Sequence, residues 1–119
     1  MLIVEDESLM ANTMGDALTA EGYTIYKAPD GEAGLKLALE KHPDLILTDL
    51  NMPKMDGLAM IHAIRKDDWG AHAEIIILTN VSDVAALEEA MREGTFYYMV
   101  KSDVSLADIV AKVKSRLTK

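Results

Sequence analysis

Three carboxylates, one hydroxyl and one ammonium each stand at the end of a short apolar run in this sequence. Glu5 and Asp6 follow "MLIV" (Met1 to Val4), Asp49 follows "LILT", Thr79 closes "IIILT", and Lys101 follows "YYMV". Gathered in one place, such groups would interact strongly. Two carboxylates about 5 Å apart repel by roughly 3 kcal/mol at an effective dielectric near 20. Three clustered acids therefore need protonation, neighbouring cations or a metal ion. All-oxygen ligands suit a hard divalent cation, and an open cluster with room for water and a phosphate suits Mg2+. A carboxylate beside such a cation can act as a nucleophile toward phosphorus, giving an aspartyl phosphate. A threonine hydroxyl can donate to a phosphoryl oxygen, and a lysine offers a second, charged donor. Each residue also has a plainer use: Asp49 in a turn, Glu5 and Asp6 in a solvated loop, Thr79 as a strand end, Lys101 on the surface. What decides between these uses is whether the chain brings them together.

The elements that would do so can be read from periodicity. "MLIV", "YTIYKA" (Tyr23 to Ala28), "DLILT" (Asp44 to Thr48), "EIIILT" (Glu74 to Thr79) and "YYMV" (Tyr97 to Val100) read as five strands, the fourth the most apolar. Helical patterns lie between them. Leu9, Thr13, Met14, Ala17 and Leu18 mark the first, with Gly22 as its stop. Asp30 can cap the second, whose stripe is Ala33, Leu35, Leu37, Ala38 and Leu39, and Pro43 closes it. Leu58, Met60, Ile61 and Ile64 mark the third; Ser82 can cap a fourth carrying Val84, Leu87 and Met91. Ser105 and Asp108 form a capping-box pattern for the last, bearing Leu106, Ile109, Val110, Val113 and Leu117. Strict alternation of strand and helix gives an α/β fold: a five-stranded parallel sheet with helices on both faces. Ligands of such sheets bind outside the carboxyl ends of the strands. All five chemical residues fall there, whereas the second strand ends in Ala28 and Pro29 without any.

The 119 residues predict one domain spanning 1–119, and a hydrophobic fraction of 50% is enough for one core. There is no cysteine, hence no disulfide or thiolate metal site, which agrees with a reducing, cytoplasmic setting. No apolar stretch is long enough to span a membrane. A net charge of −8 argues against direct binding to nucleic acid or anionic lipid. His42, His62 and His72 lack metal-ligand spacing, and His42 suits a helix end. Trp69 and Gly70 read as a packed loop before the fourth strand.

With "LIVEDE", "LILTDLNMPKMDG", "IIILTN" and "YYMVKS" in this order, the chain resembles the receiver domains of two-component response regulators along its whole length. The resemblance implies a flavodoxin-like sheet of order 2-1-3-4-5 and a phosphoacceptor switch, not an enzyme acting on a separate substrate. By it, Asp49 matches the phosphoacceptor. Asp6 and Asp49 match Mg2+ ligands, Asn51 matches the position whose backbone carbonyl is a ligand, and Glu5 matches an acid acting through water. Thr79 and Lys101 match the residues that contact the phosphoryl group, and Tyr98 matches an aromatic switch. The implied donor is a sensor histidine kinase or phosphotransfer protein. The implied output surface is the face of the fourth helix, fifth strand and fifth helix, which meets a downstream protein.

Two positions depart from the family pattern. Asn80 follows the threonine where a small residue is usual, which would narrow access to Asp49. Ser102 follows the lysine where proline is usual. A cis bond before a non-proline costs roughly 3–4 kcal/mol, so a trans Lys101–Ser102 bond is expected. Two other readings stay open on the sequence. An aspartate-nucleophile phosphatase of the haloacid dehalogenase type would want an acid where Asn51 stands. An unphosphorylated pseudo-receiver would tolerate Asn80 and Ser102.

Overall fold

The computed structural model describes residues 1–80, 84–92, 94 and 97–117, apart from the side chains of 84 and 86. Ser82, the candidate cap of the fourth helix, lies outside the described residues. Five strands, β1 (Leu2–Val4), β2 (Tyr26–Ala28), β3 (Ile46–Thr48), β4 (Ile75–Thr79) and β5 (Tyr97–Val100), alternate with five α-helices. The helices are α1 (Ser8–Ala20), α2 (Gly31–Lys41), α3 (Gly57–Arg65), α4 (Val84–Arg92) and α5 (Leu106–Leu117). The sheet has the order β2-β1-β3-β4-β5 and every neighbouring pair is parallel.

The apolar runs are buried on both sides because successive side chains alternate between two cores. Leu2, Val4, Ile46, Ile75 and Ile77 pack toward α2, α3 and α4 with Ala38, Met60, Ile61, Ile64 and Leu87. Ile3, Leu47, Ile76 and Leu78 pack the other way, with Ala11, Met14 and Leu18 of α1 and Ile109 and Val113 of α5. Not every apolar residue of the helical stripes is covered: Leu9 and Leu39 are exposed.

Local signals start and stop the helices. The Asp30 carboxylate accepts from the Ala33 N–H at 2.8 Å at the start of α2. Asp56 does the same for Ala59 at the start of α3. Ser105 and Asp108 exchange bonds of 2.9 and 3.1 Å before α5, the reciprocal capping box. β2 is shorter than the β-rich run from Tyr23 suggests. The Tyr23 N–H is taken by Leu18 O at the end of α1, and ladder pairing begins only at Tyr26, whose N–H bonds Met1 O. At the end of α2 the left-handed cap is His42, with φ of 46°. Pro43 follows it and disfavours the right-handed helical region at that position.

Candidate functional site

The parallel ladder carries the acidic residues to one rim. Beyond β1, the Glu5 N–H bonds Ala28 O at 3.0 Å, and beyond β3 the Asp49 N–H bonds Val4 O at 3.1 Å. The two side chains therefore leave neighbouring strands at the same level, and both are buried. The loop after Asp49 doubles back on itself. Gly57 N–H bonds Leu50 O at 2.9 Å, and a Cβ added at Gly57 would stand 2.1 Å from Asp49 O, so only glycine fits. Two further bonds orient the acid: Asp49 Oδ1 accepts from Leu50 N–H at 2.7 Å and from Asn51 N–H at 3.3 Å.

Lys101 reaches into this cluster from the turn after β5. Its Nζ lies 2.8 Å from Asp49 Oδ2, and 3.2 and 3.0 Å from Glu5 Oε1 and Oε2. The Lys101 side chain is only 8% exposed, so these are buried ion pairs. The Lys101–Ser102 bond is trans. Proline is thus not needed there to bring the ammonium to Asp49. Burial raises the Glu5 pKa above the usual carboxylate range, against the opposing pull of Lys101. Burial also works against the charge on Lys101, yet its hydrogen bonds to Asp49 and Glu5 prevail and its pKa is raised. The ammonium is therefore firmly charged at neutral pH.

Glu5, Asp6 and Asp49 each place a carboxylate oxygen within 4.8 Å of the others. Asp6 is exposed while the other two are buried, which leaves the cluster open on one side. Three converging carboxylates, all hard oxygen donors, fit a divalent cation of the Mg2+ class. Thr79 is buried at the end of β4 and pairs in register with Val100, the residue before Lys101. Its hydroxyl donates to Asn80 O at 3.5 Å, a weak bond. The Asn80 side chain is on the surface. Tyr98 stands in β5 beside Ile77, 44% exposed and turned away from the core. Asn51 is exposed, with its N–H committed to Asp49.

Sequence reasoning passed over Glu7. Its Oε1 lies 3.8 Å from Lys101 Nζ, a third carboxylate around one ammonium. The signal available was the unbroken acidic run "EDE". Arg65 was also missed. It ends α3 and donates to Gly70 O (2.7 Å), Ala73 O (2.8 Å) and Gly94 O (3.2 Å), tying two distant loops together. At that opposite edge of the sheet a hollow of about 510 Å3 is lined by His42, Trp69, Glu74 and Arg116. His42 and Trp69 stack there with ring centroids 4.6 Å apart, and Arg116 is paired with Glu74. The histidine thus serves packing, and the acidic rim lies elsewhere. Among the described residues, no helix is long and apolar enough to cross a membrane.

Comparisons with known proteins point to one family. The response regulator receiver domain family matches residues 1–114. A probable chemotaxis protein CheY of Rhizobium etli is 37% identical over 102 residues, which cover 85% of this chain and 79% of that protein. A probable transcriptional regulator ycf27 of Porphyridium aerugineum is 32% identical over 98% of this chain, but the match spans only 47% of its own length. Among solved structures, a response regulator receiver domain protein from Clostridium thermocellum superposes with a TM-score of 0.85 at 29% identity, covering 98% of this chain and 91% of that one.

Proposed function

The chain belongs to the receiver domains of response regulators, and from that premise we propose that it is a phosphoacceptor switch whose acceptor is Asp49. The observation that carries this reading is the buried Asp49 carboxylate, fixed on one oxygen by backbone N–H groups and paired on the other with Lys101 at 2.8 Å. A nucleophile for phosphoryl transfer needs positioning and charge compensation more than covalent assistance, and the rim supplies both. The phosphoryl donor is a sensor histidine kinase or phosphotransfer protein. The donor's P–N bond breaks, a P–O bond forms at the Asp49 carboxylate, and the imidazole leaves with a proton.

Asp6, Asp49 and the Asn51 backbone carbonyl would hold Mg2+, with Glu5 acting through water, and the ion would supply charge neutralisation at the phosphoryl oxygens. Lys101 turns its ammonium from the carboxylate to a phosphoryl oxygen, and the Thr79 hydroxyl donates to another. The Thr79 bond to Asn80 O is long enough to be given up cheaply. Movement of Thr79 opens space that the exposed Tyr98 ring can enter, reshaping the face of α4, β5 and α5 for a downstream protein. That partner is a protein rather than nucleic acid, as the net charge of −8 suggests.

The test is incubation with Mg2+ and acetyl phosphate, or with beryllofluoride, followed by mass and by amide shifts. Wild type should gain one phosphoryl group, with shifts near Thr79 and Tyr98, and Asp49→Asn should gain none. A wild type that takes up neither reagent is a pseudo-receiver. Steady turnover of small phosphoesters would mark a phosphatase instead.

A further inference from the structure

The acidic rim has one more negative charge than its proposed chemistry uses. Glu5, Asp6 and Asp49, set against Lys101 and a divalent cation, sum to zero charge. Glu7 is left over. Its side chain is 65% exposed and stands 3.8 Å from the Lys101 ammonium, on the solvent side of the buried pairs. It is the N-cap residue of α1 yet makes no side-chain capping bond. Its carboxylate is therefore not spent on the helix start, where Ser, Thr, Asp or Asn would serve better. Its backbone N–H bonds Glu5 Oε1 at 3.3 Å, which ties this residue to the cluster.

Resting on the reading of Asp49 as acceptor, we propose that Glu7 is a specificity-determining residue that selects against free, doubly charged phosphodonors. Two effects act in one direction. The carboxylate repels an incoming dianion at the mouth of the rim, and it holds back the ammonium that must turn to the phosphoryl oxygens. A protein donor can meet Glu7 with a cation or a hydrogen-bond donor of its own, whereas a small free anion cannot. Glu7 thereby favours a docked protein donor over metabolic acyl phosphates.

The experiment measures the rate of Asp49 phosphorylation at saturating Mg2+ for wild type, Glu7→Gln and Glu40→Gln. Glu40 is exposed near the far end of α2, so its substitution changes net charge equally without touching the rim. The donors are acetyl phosphate, a dianion at neutral pH, and phosphoramidate, which carries less negative charge. Glu7→Gln should react roughly five-fold faster with acetyl phosphate at low ionic strength, and gain less with phosphoramidate. The gain should fade near 1 M salt, where the Debye length is about 3 Å. Glu40→Gln should behave as wild type. A Glu7→Gln rate equal to or below that of wild type overturns the inference, as does a gain indifferent to salt and donor charge. If wild type reacts with neither donor, the acceptor reading itself falls, and this inference with it.

Discussion

The two edges of the sheet use charge in opposite ways. At the carboxyl edge, Glu5 and Asp49 are buried and share a single ammonium between them. At the amino edge, Arg116 meets Glu74 one to one, and Arg65 donates to backbone carbonyls of two loops. One edge has buried acids that outnumber their ammonium beside an open side, and at the other the described guanidinium groups meet acceptors. Buried carboxylates that outnumber their cation are held at a cost in stability, which a bound cation can relieve. Groups satisfied within the fold have nothing to give a ligand. In the hollow at the amino edge, the Arg116 guanidinium is matched by Glu74 and the His42 ring by Trp69.

Three measurements put this contrast to the test. The largest effect is expected from Lys101→Met, which strips both buried acids of their partner. It should lower unfolding free energy at pH 7 by about 3 kcal/mol without Mg2+. Millimolar Mg2+ should recover much of that loss in urea titrations, more than it adds to wild type. Equal Mg2+ responses would mean that the two edges do not differ in the way described. Arg65→Ala comes next. Losing three carbonyl partners should cost about 2 kcal/mol, and Mg2+ should recover none of it. The smallest effect concerns pH. Burial raises the folded-state pKa of Glu5, so its contribution to stability is present below the unfolded value of 4.5 and is lost as pH rises through the folded value. The stability of wild type relative to Glu5→Gln should therefore fall above pH 4.5 and then level off, in Mg2+-free buffer. A difference that rises over that interval would reverse the assigned direction.

Much of the architecture could be read from the chain because its signals are local. Buried strands announce themselves as apolar runs, and Asp30, Asp56 and the Ser105–Asp108 pair mark helix starts with side chains three residues from their targets. The strand-end positions of Glu5, Asp49, Thr79 and Lys101 followed from strand count and parallel topology alone. What escaped was decided by distant partners. Tyr23 looks like strand, but its N–H is claimed by the end of α1. Leu9 fits the helical stripe and still points to solvent. Arg65 is hard to read in sequence because acceptors such as Gly94 O are backbone carbonyls as far as 29 residues away. Glu7 was hidden inside a run of acids, and only the reach of Lys101 across 94 residues picks it out.

The tight return at Gly57 has a mechanical consequence. The backbone at Asp49 is wedged against it, with no room for even one added carbon, while β3 is flanked by strands on both sides. β5, like β2, is an edge strand, joined to the sheet along one side only, and Lys101 stands on the turn beyond it. Asp49 is thus hemmed in by backbone, and Lys101 meets it from the edge of the sheet. A displacement at Asp49 would meet less backbone pairing on the β5 side than within β3, which has a partner strand along each edge.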